Sequence, residues 1–453
     1  MNRVLIITED IIGPNMAGPA VREWEMARTL SHHARVTLAS PHPGDVPPQA
    51  FALRPHRSDP AQIQTLLESA DVVLTTGYML RKYPLLKTIP QPLGITLSHS
   101  FVLENLQQFS GRAPRERWAI FRDNAAALTD LLVAGDFFVC NSERQRDYWL
   151  GMLSALGRLN PATFSDDPSL RRLIDVAPFG IPTEPPQRTG PVLKGVRPGI
   201  APGDTLIFWG GGIYPWLDAL TAIRAMRLVA GQRPDVKLFF AGTKHPSPNV
   251  PPSPAVEAAM SLSRELGLTG SAVFFNDWIP YPERGAYLLE ADLGLSLHRD
   301  HIETRYSFRT RFLDCIWAKL PLIATRGDVT ADAISAHNLG HVVNYGQAED
   351  VAQAILELAA QPEARAACRQ NFGPLAERYR WANTLAPLVQ FCRQPYKAAD
   401  HRPGAAPFAA PAPAASAAAP ARWRKAWQLL KSGGIAALGQ EVVKFIRWRL
   451  RRA

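Results

Sequence analysis

The sequence predicts an α/β protein with two doubly wound parallel sheets in separate domains. The chain has 453 residues, more than a single hydrophobic core usually fills. Short apolar runs alternate with amphipathic helical runs in both halves, a pattern typical of parallel sheets covered on both faces. A stretch rich in Pro and Gly, residues 183–203, separates the two halves. These observations predict two domains facing each other across a connection.

The first domain is assigned to residues 1–182 and begins with the strand RVLIIT. A helix is predicted from about Ala20 to Ser31, and the other predicted strands are RVTLAS, DVVLTT, LGITLS and FFVCNS. The second domain, residues 204–373, repeats the pattern with TLIFWGGG, a helix from about Pro215 to Ala230, VKLFFAG, AVFFND, ADLGLSL, PLIAT and GHVVN. A closing helix is predicted over residues 374–395. Ligands of such sheets bind at the carboxyl ends of the strands, so we expect the functional residues in loops after strands.

The C-terminal region differs in composition from both domains. Residues 396–420 are assigned to a linker, because ten Ala and five Pro among residues 401–420 cannot build a core. The tail, residues 421–453, carries nine Lys or Arg against one Glu, which is most of the net charge of +10. Its three tryptophans and its basic residues on amphipathic helices favour an anionic membrane surface. A solvated tail and a helix that docks on a protein partner are the alternatives.

Composition and charge narrow the class of protein. A hydrophobic fraction of 46% and a charged fraction of 20% are ordinary for soluble globular domains. The first strand is followed at once by Glu9 and Asp10, so it lacks the core and cleavage site of a signal peptide. The four cysteines form no Cys-x-x-Cys pair. We therefore expect a cytoplasmic protein, peripheral at the inner face of the membrane through its tail, and no nucleic-acid partner.

Two arginines stand at the predicted start of a helix in ETRYSFRTRFLDCIWAKLPLIATRGD, residues 303–328. Ser307 can cap this helix, which places Arg309 and Arg311 in the first turn. Cations are unfavourable there by about 0.3 to 1 kcal/mol each, unless an anion such as a diphosphate binds at the same place. Asp314 lies two turns deeper, where its carboxylate can accept hydrogen bonds from ribose hydroxyls. The alternative is an exposed, weak Arg311–Asp314 ion pair.

The stretch FLDCIWAKLPLIATRGD resembles the nucleotide-sugar motif of retaining glycosyltransferases of family four, which have the GT-B fold of two Rossmann-like domains. The family motif has two acids separated by seven residues, followed by Gly-Leu-Pro. The second acid falls on Asp314, the glycine falls on Lys319, and the first acid falls on Tyr306, which is a departure. The resemblance implies that Glu303 takes over the grip on the donor sugar. It also implies that Arg309 and Arg311 replace a phosphate-binding lysine that the family places after the first strand of its second domain.

The resemblance covers about residues 3–392 and implies further contacts with the donor. Gly211 and Gly212, in a loop between a strand and a helix, allow close approach of the backbone, although such glycines are also common in turns. Lys244 follows the next strand, where the family encloses the nucleotide; a solvated loop lysine is the alternative. Gly18 matches a glycine beside the donor diphosphate or only shapes its loop. His99 matches a cleft histidine near sugar and acceptor, and a structural role is its alternative.

The implied reaction is the departure of a nucleoside diphosphate from an anomeric carbon while an acceptor hydroxyl attacks. By family analogy the configuration is retained, no cofactor and no metal are needed, and His99 is the candidate catalytic residue. The expected partners are a nucleotide sugar and an acceptor glycan or glycolipid, in polysaccharide or glycolipid assembly. The competing hypotheses are a nucleotide-sugar epimerase or phosphorylase of the same fold, and a non-catalytic scaffold that binds membrane or nucleic acid.

Overall fold

The N-terminal half of the chain folds around a parallel sheet whose strands are buried on both faces. The computed structural model describes residues 1–44, 46–247, 250 and 252–402. Within these residues the first sheet has seven strands: β1 Arg3–Ile7, β2 Arg35–Ser40, β3 Ala52–Pro55, β4 Val72–Thr76, β5 Leu93–Thr96, β6 Phe137–Cys140 and β7 Ile174–Val176. Their order is β3-β2-β1-β4-β5-β6-β7, and every neighbouring pair is parallel. β3 and β7, the two edge strands, are absent from the sequence prediction.

Helices connect these strands and cover both faces of the sheet. They are α1 Gly18–Leu30, α2 Pro60–Glu68, α3 Met79–Lys82, α4 Phe101–Gln108, α5 Pro114–Ala134, α6 Glu143–Ala155 and α7 Pro161–Asp166. Helix α1 follows β1 directly and packs on β2. Its start therefore lies at the carboxyl end of β1, where a ligand of this sheet is expected.

The second domain repeats this architecture with six parallel strands. They are β8 Thr205–Trp209, β9 Val236–Phe240, β10 Val273–Phe275, β11 Leu293–Ser296, β12 Leu322–Thr325 and β13 Gly340–Val343, in the order β10-β9-β8-β11-β12-β13. The helices are α8 Ala219–Ala230, α9 Pro254–Glu265, α10 Arg284–Glu290, α11 Ile302–Tyr306, α12 Thr310–Ala318, α13 Val329–His337, α14 Ala348–Ala360 and α15 Pro362–Asn371. The prediction of two parallel α/β domains is confirmed.

The chain then returns to the first domain through three short helices instead of the single closing helix predicted. They are α16 Gly373–Arg378, α17 Trp381–Thr384 and α18 Ala386–Arg393. The amide of Trp381 donates to the carbonyl of Ile181 at 3.1 Å. The ring of Phe391 stacks on Phe137 of β6, with centroids 4.9 Å apart. The closing segment therefore ties the second domain to the first.

The beginning of the predicted linker, residues 396–402, packs on the first domain. The carboxylate of Asp400 lies 2.7 Å from Nε of Arg158, with both side chains buried. His401 lies 2.8 Å from the buried carboxylate of Asp136. The predicted boundary at residue 396 is therefore wrong by at least seven residues, because polar side chains outside the Ala/Pro repeat make specific contacts. The rest of the linker and the basic tail lie outside the described residues, among which no helix is both long and apolar enough to cross a bilayer.

Candidate functional site

Two adjoining cavities lie between the domains at the carboxyl ends of the strands. The first, here called the basic cavity, has a volume of about 460 Å³ and is lined by the starts of α1 and α12 and by the loop after β8. The second, here called the aromatic cavity, has a volume of about 500 Å³ and lies between α4–α5 and the loops after β8, β9 and β10. Both cavities are lined by His99, Glu104, Gly212, Tyr214, Trp216, His245, Val250 and Trp278. Both volumes are in the range of small-molecule sites.

Two helix N-termini, one from each domain, open into the basic cavity. Helix α1 begins after Ala17 and helix α12 begins after Arg309, and neither N-cap side chain accepts a hydrogen bond from its helix. The prediction that Ser307 caps the second helix is wrong, since Ser307 ends α11 and its Oγ donates to the carbonyl of Thr304 at 2.9 Å. Uncapped first-turn amides and the positive ends of both helices therefore face one space, an arrangement that favours an anion.

Arg309 lines this cavity, but its terminal nitrogens are occupied by a carboxylate. Nη1 and Nη2 donate to the two oxygens of Glu303 at 2.9 and 2.8 Å, and Nε lies 3.6 Å from Asp328. Both Arg309 and Glu303 are buried, and Glu303 lines neither cavity. Glu303 therefore holds an arginine, which corrects the expectation that it grips the donor sugar directly.

Arg311 lines the basic cavity half-buried, and among the described residues it has no carboxylate partner within hydrogen-bonding distance. It lies in the first turn of α12 as predicted, its guanidinium is 5.0 Å from the Trp209 ring, and Nη2 donates weakly to the carbonyl of Gly212 at 3.4 Å. Nη1 is buried and has no hydrogen-bond partner among the described residues. Burial, and then the charge of Arg309, lower the pKa of Arg311 to about 10. An anion in the basic cavity would offset this unfavourable charge.

Asp314 lies deeper in the same cavity beside an arginine that the sequence reasoning missed. Nε of Arg284 is 3.4 Å from its carboxylate, and the Arg284 guanidinium stacks on Tyr281 at 3.8 Å and on Trp317 at 4.6 Å. Burial raises the pKa of Asp314 despite this cation. Arg284 starts α10 after a Pro-containing turn, and only the fold brings it to α12. The alternative of an exposed Arg311–Asp314 ion pair does not describe this geometry, since the ion-pair partner of Asp314 is Arg284.

The predicted glycines line the basic cavity, and two of them leave space that a ligand can use. A Cβ atom on Gly18 or Gly211 would meet no other atom within 4 Å, so protein packing does not require glycine there. Gly211 has a φ of +68°, which favours glycine for backbone reasons. Gly212 has a different role, since a Cβ there would lie 2.8 Å from the Tyr214 ring.

Lys319 occupies the place of the family glycine at the end of α12. It adopts a left-handed φ of +52°, and its amide closes the helix on the carbonyls of Cys315 and Ile316. This conformation is the one for which a glycine is favoured at a helix C-terminus. The backbone of the resembling motif is therefore kept although its glycine is replaced.

His99 stands where the two cavities meet, near two carboxyl groups with perturbed pKa values. Burial raises the pKa of Glu104, and the charge of His99 opposes the shift. Burial likewise raises the pKa of Asp10, again opposed by His99. Perturbed carboxyl groups beside a cleft histidine are typical of functional sites. The structure therefore brings His99, Arg309, Arg311, Asp314 and the three glycines to one cleft.

Lys244 does not join this group. Its Nζ lies 2.7 Å from Asp277, with side-chain exposures of 74% and 69%, and the residue lines the aromatic cavity rather than the basic one. This geometry matches a solvated loop lysine.

Tyr306, at the position of the family's first acid, makes a contact between the domains. Its ring lies 4.7 Å from that of Tyr148, and its carbonyl accepts a hydrogen bond of 2.8 Å from Gln145. Next to it, Arg144 donates to the carbonyl of Gly327 at 3.1 Å and to Asp332 at 2.7 Å. Where the family has an acid that can contact the ligand, this chain therefore has a ring that packs one domain on the other.

Among the described residues, no group of three or more His, Cys, Asp or Glu side chains is placed to hold a metal ion. A comparison with family models matched residues 203–361 to the family described as glycosyl transferases group 1. A comparison with curated proteins found no match.

Solved structures with the same fold cover nearly the whole described chain. Sucrose-phosphate synthase from Thermosynechococcus elongatus superposes with a TM-score of 0.64 at 14% identity over 87% of this chain and 99% of that one. WaaG, a glycosyltransferase involved in lipopolysaccharide biosynthesis, superposes with a TM-score of 0.59 at 17% identity over 88% and 100%. HepE from Anabaena in complex with UDP and glucose superposes with a TM-score of 0.59 at 11% identity over 86% and 99%. Residues 203–361 thus carry a glycosyl transferases group 1 domain, and the chain is a glycosyltransferase with the GT-B fold.

Proposed function

We propose that this enzyme transfers a sugar from a nucleoside-diphosphate sugar to an acceptor hydroxyl. The observation that carries the proposal is that two uncapped helix N-termini meet Nη1 of Arg311 at one cavity, where this nitrogen has no hydrogen-bond partner among the described residues. Helix ends alone favour any small anion. A half-buried guanidinium without a carboxylate adds a requirement for a strongly charged ligand, which a diphosphate meets.

The rest of the basic cavity suits the nucleoside. Asp314 lies about one turn into α12, where a carboxylate can accept hydrogen bonds from ribose hydroxyls. Beyond it the wall is apolar and aromatic, formed by Trp278, Ile279, Leu288 and Leu313. A flat, weakly polar base fits such a wall, because stacking and burial favour it. The donor sugar then lies at the junction of the two cavities, beside His99 and Glu104.

In this arrangement the leaving diphosphate develops negative charge where the protein already presents positive potential. The amides of α1 and α12 and the guanidinium of Arg311 are fixed before the reaction, so they stabilise the transition state without reorganisation. Arg309, held by Glu303 and Asp328, contributes its charge and fixes the start of α12. His99 contacts the sugar or the attacking hydroxyl at the junction. No protein nucleophile is assigned, and we propose retention of configuration.

We also propose that the enzyme uses neither a cofactor nor a divalent metal ion, since Arg311 and the helix ends supply the positive charge that a metal would supply. The acceptor is a glycan or glycolipid in polysaccharide or glycolipid assembly. The enzyme works at the cytoplasmic face of the membrane, held there by residues 421–453. The amphipathic pattern and the nine basic residues of that segment support the membrane proposal.

A thermal-shift screen of the full chain tests the donor. The ligands are uridine, guanosine, adenosine and thymidine diphosphates, each with and without EDTA. One diphosphate should stabilise the enzyme in both conditions, by about 2.7 kcal/mol at a hundredfold excess over its Kd. Stabilisation by none of them would overturn the donor proposal, and stabilisation that EDTA abolishes would overturn metal independence.

A further inference from the structure

The aromatic cavity differs in chemistry from the basic cavity that it adjoins. The two share a wall that includes His99, Glu104, Tyr214, Trp216, His245 and Trp278. A group bound in the aromatic cavity therefore lies next to the place where the sugar leaves the diphosphate. Under the proposed function, this is where the attacking hydroxyl must come from.

Aromatic rings form the side of this cavity that belongs to the second domain. Tyr214 and Trp216 stack in parallel, with centroids 4.8 Å apart and an interplanar angle of 6°. Trp278 completes this side and lies 5.9 Å from the ring of His245. The face of an aromatic ring is negative and attracts the weakly positive C–H groups of a pyranose ring.

On the opposite side, which belongs to the first domain, uncharged polar side chains form a hydrogen-bonded network. The hydroxyl of Tyr78 donates to Oδ1 of Asn124 at 2.6 Å and accepts from Nδ2 of Asn105 at 2.9 Å. Oε1 of Gln108 has no hydrogen-bond partner among the described residues. Side-chain amides offer both donors and acceptors, which is what a ligand with several hydroxyl groups requires.

The charges around the aromatic cavity disfavour an anion. Of its described lining residues Lys244 is the only Lys or Arg, and that side chain is exposed and paired with Asp277 at 2.7 Å. Two carboxylate residues, Glu104 and Asp123, also line it, and Asp123 is paired with Arg81 at 3.2 Å. Burial lowers the pKa of His245, which keeps its ring neutral at pH 7. A phosphorylated acceptor would find no free cation here, in contrast to the basic cavity.

We propose that the aromatic cavity is the acceptor subsite and that it binds an uncharged sugar ring between the Tyr214–Trp216 stack and the Tyr78–Asn105–Asn124 amide network. This proposal rests on the proposed function and names the class of its acceptor. The enzyme extends a neutral glycan unit and does not act on a free sugar phosphate.

Saturation-transfer NMR on the full chain tests the subsite directly. The probes are the methyl α- and β-pyranosides of glucose, galactose and mannose, with glucose 6-phosphate as the charged counterpart. At least one neutral glycoside should bind, and glucose 6-phosphate should bind more weakly than its neutral analogue. Trp216→Leu should lower the affinity for the glycoside roughly 2- to 12-fold, because a ring contact is lost, whereas Trp216→Phe keeps a ring and most of the affinity. Asn105→Ala, which touches only the aromatic cavity, should also weaken binding.

Experiments with the nucleotide distinguish this proposal from the donor proposal. Arg311→Met removes a group of the basic cavity only, so it should leave glycoside binding unchanged even where nucleotide binding is lost. Nucleoside diphosphate should not displace the glycoside. Displacement by the diphosphate, tighter binding of glucose 6-phosphate, binding of no glycoside, or unchanged affinity in folded Trp216→Leu would each overturn the acceptor subsite. Failure of every diphosphate to bind would overturn the donor proposal. The glycoside-binding measurements would still test the acceptor subsite.

Discussion

Replacing Arg311 by Met should weaken binding of the nucleoside diphosphate without destabilising the fold. Nη1 of its guanidinium is buried and has no partner among the described residues, and the hydrogen bond from Nη2 to the carbonyl of Gly212 is long at 3.4 Å. Removing it therefore breaks little in the free enzyme and relieves an unfavourable charge. In the complex it removes hydrogen bonds to a charged group, worth about 1.5 to 3 kcal/mol, so Kd should rise roughly 10- to 150-fold.

Replacing Arg309 by Met should instead destabilise the fold. Its bidentate ion pair with Glu303 is buried, with side-chain exposures of 7% and 5%. Loss of the arginine leaves a buried carboxylate without its partner, which lowers the free energy of unfolding by about 3 to 5 kcal/mol. The double variant Glu303→Gln, Arg309→Met should recover only part of this loss, because the buried carboxylate of Asp328, 3.6 Å from Nε of Arg309, still loses its cation.

Urea unfolding and calorimetric titration with the stabilising diphosphate measure the two effects separately. Arg233→Met is the matched control: its exposed pair with Asp235 precedes β9, so neither stability nor affinity should change by more than about 1 kcal/mol. Unchanged diphosphate affinity in Arg311→Met would refute the assignment of the phosphate site. Wild-type stability in Arg309→Met would refute the contrast between the two arginines.

Three further predictions follow from the site and the tail. Asp314→Asn should weaken the free diphosphate about 5- to 10-fold in calorimetry, whereas Glu303→Gln should act mainly on unfolding; equal effects on binding would contradict the ribose role. Burial raises the pKa of Glu23 well above its ordinary value, so the native state binds more protons than the unfolded state above about pH 4.3 and stability falls as pH rises. Glu23→Gln should flatten this fall in urea unfolding between about pH 5 and about pH 8, and an unchanged slope would exclude Glu23 as its source. A chain ending at Ala405 should keep diphosphate affinity and lose sedimentation with anionic vesicles, and vesicle binding as tight as that of the full chain would refute the membrane role of the tail.

Much of the fold could be predicted because buried parallel strands are nearly continuous apolar runs. β1 and β8 are apolar and buried over almost their whole length, and both appear in the predicted pattern. β3 and β7 do not, because the edge strand ALRP is half exposed and IDV has only three residues. Their pairing depends on neighbouring strands that local sequence does not encode.

The position of a site residue could be predicted only where it depends on the helix or loop that contains that residue. Gly211, Arg311 and Asp314 lie where the motif places them. The pairing of Arg309 with Glu303 could not be foreseen, because an extended break separates α11 from α12 and turns the two side chains toward each other. Arg284 reaches Asp314 only through the packing of α10 on α12, and sequence spacing carries no signal of that contact.

The Tyr306 contact joins the two domains at the position where the family motif has its first acid. Where related motifs place an acid, this chain has a ring that packs on Tyr148 of α6, and Gln145 of the same helix binds the Tyr306 carbonyl. The second domain therefore supplies no carboxylate at this position for the sugar, and Glu303 is occupied by Arg309. Polar groups of both domains line the junction of the two cavities: His99 and Glu104 from the first domain, and His245 from the second. The contact that replaces the acid is therefore a contact between the two domains, and the junction where we place the donor sugar is lined by side chains of both.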